Sequence, residues 1–334
     1  MHLEKKLRKI PLELIDAEDD FFDFSDKDSS YLAKLKLSIK KVGVINPLIV
    51  QLSSSKKLYR LINGFKRFQI AKELSLSYLP AYILKRDLPP LEVLNILLLS
   101  HSRPLSLTEK ARIVGIMRRL QLSDKQIYDN FGSLLGISSA SLVKEYAILS
   151  TYRSPLLSYI SSHGLSLKQA LALKDLSPQE QDTFVFLGNL LSLKGYDFFN
   201  ILTDLKEIAI REGKKVALVI EETGILEIGK NEKFTRSQKI ERIKNIIKER
   251  KYPYLTKVNR ELDKIRKKFS SRTGLDIVWD KSLEGGVELS FKIRNSEDAK
   301  KKIKNLLEED NFSLLVRFLE VYHEGLQDKK DNSG

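Results

Sequence analysis

The sequence predicts a multidomain α+β protein: an N-terminal α+β domain over residues 1–88, a central all-α helix-turn-helix domain over 89–213, a basic linker and helix over 214–254, and a small αββα domain over 255–325 before a disordered tail at 326–334. Three observations lead there. A chain of 334 residues exceeds what one compact core usually holds. Strand-like runs concentrate before Leu84 and after Val216, with helical periods between them. The charge is uneven: of a net +14, +11 falls between Lys230 and Arg272, where 16 basic residues stand beside 5 acidic ones.

In the first domain Lys9-Ile10-Pro11-Leu12 opens a strand, and Tyr31 to Val42 forms an amphipathic helix on Leu32, Leu35 and Ile39 that Gly43 ends. Residues 47–51 and 58–62 read as strands joined by a polar turn at 53–56, and Leu79 to Leu84 as a last short strand. Asn63-Gly64-Phe65-Lys66-Arg67 follows the second of these directly and leads into a helix through Leu74. In the central domain Thr108 is placed to cap a helix carrying Ile113, Ile116 and Leu120. Ser123 with Gln126 makes a capping box, and Ser177-Pro178 starts another helix. Val216 to Ile220 and Ile225 to Ile228 are expected to pair as a hairpin. A basic helix spans Arg236 to Lys251 and stops at Pro253. The last domain reads as a helix from Leu255 to Phe269, strands Leu275 to Trp279 and Val287 to Ile293, and a helix capped by Ser296-Glu297-Asp298 that ends at Leu307. The strand from Val287 alternates apolar and polar residues, so one face should be buried.

Composition excludes much chemistry. There is no cysteine, hence no disulfide, zinc ribbon or thiol nucleophile, and the 4 histidines are scattered, which argues against a metal site and a Ser-His-Asp arrangement. Neither a Walker A sequence nor Gly-x-Gly-x-x-Gly occurs. No apolar run reaches the roughly 18 residues of a membrane span and the N-terminus is charged, so a cytoplasmic protein with no membrane partner is expected. Excess Lys and Arg attract polyanions, which makes nucleic acid the first candidate partner, with an acidic protein or a membrane surface behind it, and double-stranded DNA the form that the helix-turn-helix reading implies.

Two constellations suit such a partner. From Ser123 to Leu149 one helix would bury Ile127, Phe131 and Leu134 or Leu135, Gly136 would turn the chain, and a second helix would bury Leu142, Tyr146 and Leu149. That leaves Ser138, Ser139, Ser141 and Lys144 at the start of the second helix to reach phosphates or base edges. An ordinary helical hairpin is the alternative. The second constellation is Asn63, Gly64, Lys66 and Arg67 at a strand-to-helix junction, where free backbone N–H groups and two cations could seat a phosphate. A basic surface turn is its alternative.

The order KIPLELID, SIKKVGVINPLIV, YRLINGFKRFQIAKEL, LPAYI resembles the N-terminal domain of the ParB partition protein family (ParB/RepB/KorB-like). RPLSLTEKARI resembles the stretch before that family's helix-turn-helix, GLSLKQALALKDLSPQEQ the supporting helix after it, and the C-terminal pattern its small dimerisation domain. The resemblance implies a homodimeric DNA-binding clamp of the nucleoid that acts in chromosome or plasmid partition with a ParA-type ATPase. It also implies CTP, with magnesium, as ligand of the N-terminal domain, at Asn63, Gly64, Lys66, Arg67 and Arg103.

This sequence departs from the pattern in three places. In the family's Gly-Glu-Arg-Arg box Gly64 and Arg67 match and Lys66 keeps the charge, but Phe65 stands at the glutamate position. In the Asp/Glu-Asn-x-x-Arg box Arg103 persists while Leu99 and Ser100 replace the carboxylate and the asparagine. Magnesium prefers oxygen ligands, so weakened CTP binding and little turnover are expected, with no catalytic residue assigned. Lys168-Gln169-Ala170-Leu171 replaces a Gly-His-Ala-Arg signature, which leaves Lys168 and Gln169 as candidate DNA contacts and implies a different DNA site. The basic segment after Lys230 would add non-specific DNA affinity. A transcriptional regulator without a segregation role, and a CTP hydrolase or nuclease, are the alternative functions.

Overall fold

The computed structural model describes residues 7–26, 29–53, 58–84, 88–101 and 103–331. The chain divides into two compact units, the first made of residues up to Thr203 with 215–218 and 229–232, the second of 204–214, 219–228 and 233 onward.

The first unit opens on β1 (Arg8–Pro11), a single 3-10 turn, β2 (Ile15–Asp16), α1 (Ser29–Val42), β3 (Leu48–Leu52), β4 (Tyr59–Asn63), α2 (Phe65–Glu73) and β5 (Tyr78–Leu84). The strands form one mixed sheet in the order β1-β5-β3-β4-β2. β3 is antiparallel to β4 and parallel to β5, so Val50 pairs with Leu61 on one side and Ile83 on the other. Leu48, Val50, Leu61, Leu79 and Ala81 are buried with Phe68 and Ala71 of α2. Each fully buried aliphatic side chain of this kind stabilises by about 1.5–3 kcal/mol. The turn expected at 53–56 lies, beyond Ser53, outside the described residues; Ser53 N–H donates to the Leu58 carbonyl at 3.0 Å.

Helices follow: α3 (Pro90–Leu99), α4 (Leu107–Arg119), α5 (Asp124–Leu135), α6 (Ala140–Ser150), α7 (Ser154–His163), α8 (Leu167–Leu171), α9 (Pro178–Leu191) and α10 (Gly195–Glu212). The capping box at Ser123/Gln126 forms as expected, and the helix start expected at Ser177-Pro178 forms with a capping box to Glu180. The cap of α4 is Ser106, not Thr108. Ser106 Oγ accepts from Glu109 N–H at 3.1 Å and Glu109 returns the bond to Ser106 N–H at 3.0 Å, whereas the Thr108 hydroxyl is drawn inward to a carboxylate.

The hairpin expected between Val216 and Ile228 is instead two helices, α11 (Val216–Thr223) and α12 (Ile225–Lys230), separated by Gly224. The buried residues Val216, Val219 and Ile220 stand at i, i+3 and i+4, a helical stripe, and that periodicity outweighs their β-branched preference for strand.

The second unit holds α13 (Arg236–Lys251), α14 (Pro253–Thr273), β6 (Asp276–Trp279), β7 (Val287–Ser290), α15 (Ser296–Leu307) and α16 (Glu309–Asp331). Its core joins Val258, Leu262 and Phe269 of α14 to Ile277 of β6 and Phe318, Val321 and Tyr322 of α16. Two expectations change here. Helix α16 continues through much of the segment expected to be disordered, because a helix anchored by those buried residues propagates into a polar end at little cost. The strand expected from Val287 to Ile293 ends at Ser290; Val287 packs against the core, while Leu289 and, beyond the strand, Phe291 and Ile293 remain exposed.

Candidate functional site

Gly64 ends β4 and caps α2 with φ 107°, a backbone conformation that L side chains rarely adopt. A Cβ there would also lie 2.8 Å from Leu48 Cδ2, so the turn needs glycine on both counts. The tight turn aims the N-terminus of α2 at a cavity of about 250 Å³. Its walls include Phe22, Phe24, Tyr31, Phe65, His101 and Asn46, and its charged lining is Asp23, Lys66, Arg67, Arg103 and Glu109. The five sequence-predicted residues Asn63, Gly64, Lys66, Arg67 and Arg103 therefore come together in one place.

They are not equally available. The Arg67 guanidinium donates to the Asn46 carbonyl, to the Pro47 carbonyl at 2.7 Å and to Asn63 Oδ1 at 3.3 Å, so it clamps the loop before β3. Arg103 makes a two-pronged ion pair with Glu109, whose carboxylate is almost fully buried. Lys66 has neither a hydrogen bond nor an ion pair among the described residues; its ammonium lies 4.8 Å from the centre of the Tyr31 ring. Burial lowers the Lys66 pKa, opposed by Glu109 and reinforced by Arg103.

Sequence reading missed two features of this site. Asp26 is buried and accepts from Ser106 at 2.6 Å, Thr108 at 2.5 Å, Arg112 at 2.7 Å and Ser161 at 2.9 Å. Burial pushes its carboxyl up, but those four bonds outweigh burial and hold it below the ordinary aspartate value. It ties the segment that lines the cavity to α4 and α7, through partners 80 to 135 residues away. His101 is the second: its Nε2 is buried with no hydrogen-bond partner among the described residues, and burial lowers its pKa.

The candidate DNA contacts fall on two helices that touch, α6 and α8. Gly136 ends α5 with φ 60° and ψ 42°, and Ile127, Phe131 and Leu135 are buried beneath it, whereas Leu134 is exposed. On α6 the buried residues are Val143, Tyr146 and Leu149; Val143 takes the inward position expected of Leu142, which is only partly covered. Ser138, Ser141 and Lys144 are exposed. Ser139 is the N-cap of α6, its Oγ accepting from Leu142 N–H at 3.3 Å. Lys168 is exposed on α8, while Gln169 closes a capping box with Ser166.

Residues 2–100 match the model of the ParB N-terminal domain, so the glycine turn and its cavity belong to a domain of that class. The chain thus carries a ParB N-terminal domain. Solved structures are similar over part of this chain. The C-terminally truncated chromosome-partitioning protein ParB from Caulobacter crescentus, complexed with CTP-gamma-S, is 22% identical, with 54% of this chain and 99% of that chain covered and a TM-score of 0.26. The truncated Caulobacter crescentus protein complexed to the centromeric parS site gives 20%, 59%, 98% and 0.30. The pNOB8-like ParB N-domain gives 18%, 61%, 88% and 0.39. No curated protein matches the chain.

The residues present do not fit a magnesium triphosphate. Leu99 and Ser100 offer no carboxylate, Phe65 is apolar, two of the three lining cations are spent on internal partners, and no group of three or more His, Cys, Asp or Glu among the described residues could hold a metal.

Proposed function

We propose that this chain is a sequence-specific DNA-binding protein of the ParB type that acts in chromosome or plasmid partition as a homodimer, with a nucleotide cavity in its N-terminal domain that binds CTP weakly and turns it over little. The observation that carries the reading is the ParB N-terminal domain over residues 2–100, followed along the chain by two helices that meet at a left-handed glycine. Helix α6 enters the major groove with Ser138, Ser141 and Lys144 toward the duplex, and Lys168 of α8 adds a phosphate contact. Ser139 and Gln169 position these helices by capping them. The exposed lysines of α13 and α14 supply sequence-independent attraction. Dimerisation through the C-terminal unit is supported by the apolar residues Leu289, Phe291 and Ile293 that this chain leaves uncovered. A ParA-type ATPase is the partner that moves the complex, and the nucleoid is where it acts.

Chromatin pull-down tests the reading. A partition factor gives occupancy that spreads for kilobases around one or a few sites. Narrow promoter peaks would make the protein a local regulator on the same scaffold, and no preference for any genomic fragment over random competitor DNA would end the DNA-binding reading.

A further inference from the structure

We infer that the cavity at the N-terminus of α2 takes a ligand with one phosphoryl group on an aromatic body, of the nucleoside monophosphate class, with Lys66 as its cation and His101 Nε2 as its second polar contact. This rests on the proposed nucleotide role of the cavity and narrows the ligand.

Charge is the first reason. Among the described residues, three cations and two carboxylates line the cavity, a net charge of +1 with the imidazole neutral. A phosphate monoester carries about −1.5 to −2 at neutral pH, close to what that lining can balance. Each further phosphate adds negative charge, yet Arg67 holds the Asn46 and Pro47 carbonyls and Arg103 holds Glu109. Recruiting Arg103 to a polyphosphate would strand the buried Glu109 carboxylate, which the interior penalises strongly. Lys66 is different: it rests on an aromatic face, a contact worth only about 0.5–1 kcal/mol at a half-exposed site, and turns to a phosphate with nothing left unpaired behind it.

His101 is the second and independent reason. Its Nε2 is the one buried side-chain polar atom among the described residues that has no hydrogen-bond partner, and the residue lines this cavity. An unmade bond of that kind costs about 1–3 kcal/mol, a penalty that a ligand hydroxyl or base edge removes on binding. The ring lies 6.0 Å from Phe24, and Phe65 and Tyr31 complete aromatic walls suited to a planar base.

The test is calorimetric titration of the full-length protein with CMP, CDP and CTP, each with and without Mg²⁺, and with inorganic phosphate. CMP is expected to bind at least as tightly as CTP, with Mg²⁺ changing neither. His101→Leu is expected to lower CMP affinity about tenfold while the ligand-free protein melts at the same or a higher temperature, because an unpaired buried atom has been replaced by an apolar one. Lys66→Gln should lower CMP affinity by a similar factor. If His101→Leu does not fold, His101→Ala serves the same comparison. Magnesium-CTP binding tighter than CMP would overturn the inference and leave a nucleotide site standing. An unchanged CMP affinity in the His101 variants would overturn it as well. If neither phosphate nor any nucleotide binds, the inference falls together with the nucleotide reading, whereas the DNA reading is judged separately by pull-down.

Discussion

Replacing Asp26 by Asn removes a charge from the centre of four donors and takes the ion pair from Arg112, itself mostly buried, which keeps only its bonds to the Phe24 and Ser25 carbonyls. Loss of a buried pair of this kind should cost about 2–4 kcal/mol, measured as the fall in unfolding free energy in urea. The pH dependence has a definite sign. The folded-state pKa of Asp26 lies below its unfolded value of 3.8, so its contribution is complete above that value and is lost as pH falls through the folded pKa. Wild-type protein should therefore lose stability below about pH 4 more steeply than Asp26→Asn; equal acid limbs would refute the assignment. Two glycines make a second comparison. Gly136→Ala should cost about 1–2 kcal/mol for its left-handed backbone alone, whereas Gly64→Ala should cost more, since its Cβ also meets the buried Leu48. Gly64 and Lys66 were legible because a glycine beside cations at a strand-to-helix junction is a local pattern. Asp26 was not, because its partners lie far along the chain and only folding assembles them.

At the scale of the element, α6 separates positioning from recognition. Ser139→Ala removes the N-cap and should lower stability by about 1 kcal/mol, with DNA affinity changing only through that loss. Ser141→Ala and Lys144→Ala should leave the melting temperature unchanged and weaken specific binding by about 1–3 kcal/mol for each true base contact, read by fluorescence anisotropy against specific and random duplexes. Helix α13 shows the same division at its other end. Arg211 donates to the carbonyls of Arg250 and Lys251, and Arg250 pairs with Glu212 at 2.6 Å and with Glu222. Hydrogen bonding from Arg250 pulls the Glu212 carboxyl down to about 2. Arg250 and Lys251, at the end of this basic helix, are thus held by internal partners, and the proposed phosphate contacts would come from its other cations. Capping boxes are legible because both partners stand three residues apart. The first turn of α4 is ambiguous in sequence because Ser106 and Thr108 are both good caps; both hydroxyls reach the Asp26 carboxylate, and the reciprocal bonds with Glu109 single out Ser106 as the cap.

For the molecule as a whole, the basic segment predicts strong salt dependence. Changing the exposed Lys264, Lys267 and Lys268 to Gln should reduce the slope of log K against log salt by about one for each phosphate that these lysines neutralise, equally for specific and random DNA. A substitution in the uncovered apolar segment just beyond β7 gives the complementary test. Phe291→Asp should yield a monomer in analytical ultracentrifugation and weaken binding to a two-fold site, while the helical unit keeps its melting behaviour. A dimer that survives this change would show that association uses another surface. The exposure of Leu289, Phe291 and Ile293 within one chain is itself informative: alternation predicts that one face is covered, but it does not contain the identity of what covers it.

The amino-acid order by itself determined four of the five strands of the first sheet, all but the two-residue β2, with the glycine turn, the turn between α5 and α6 and the basic helix, because each is set by periodicity, capping or conformational freedom within a few residues. Tertiary structure alone decided that Arg67 and Arg103 serve internal partners, that Asp26 joins two parts of the first unit, and that His101 faces a cavity unpaired. Those facts depend on groups brought together by the burial of distant apolar surface, and no local pattern records which donor will meet which acceptor once that burial has occurred.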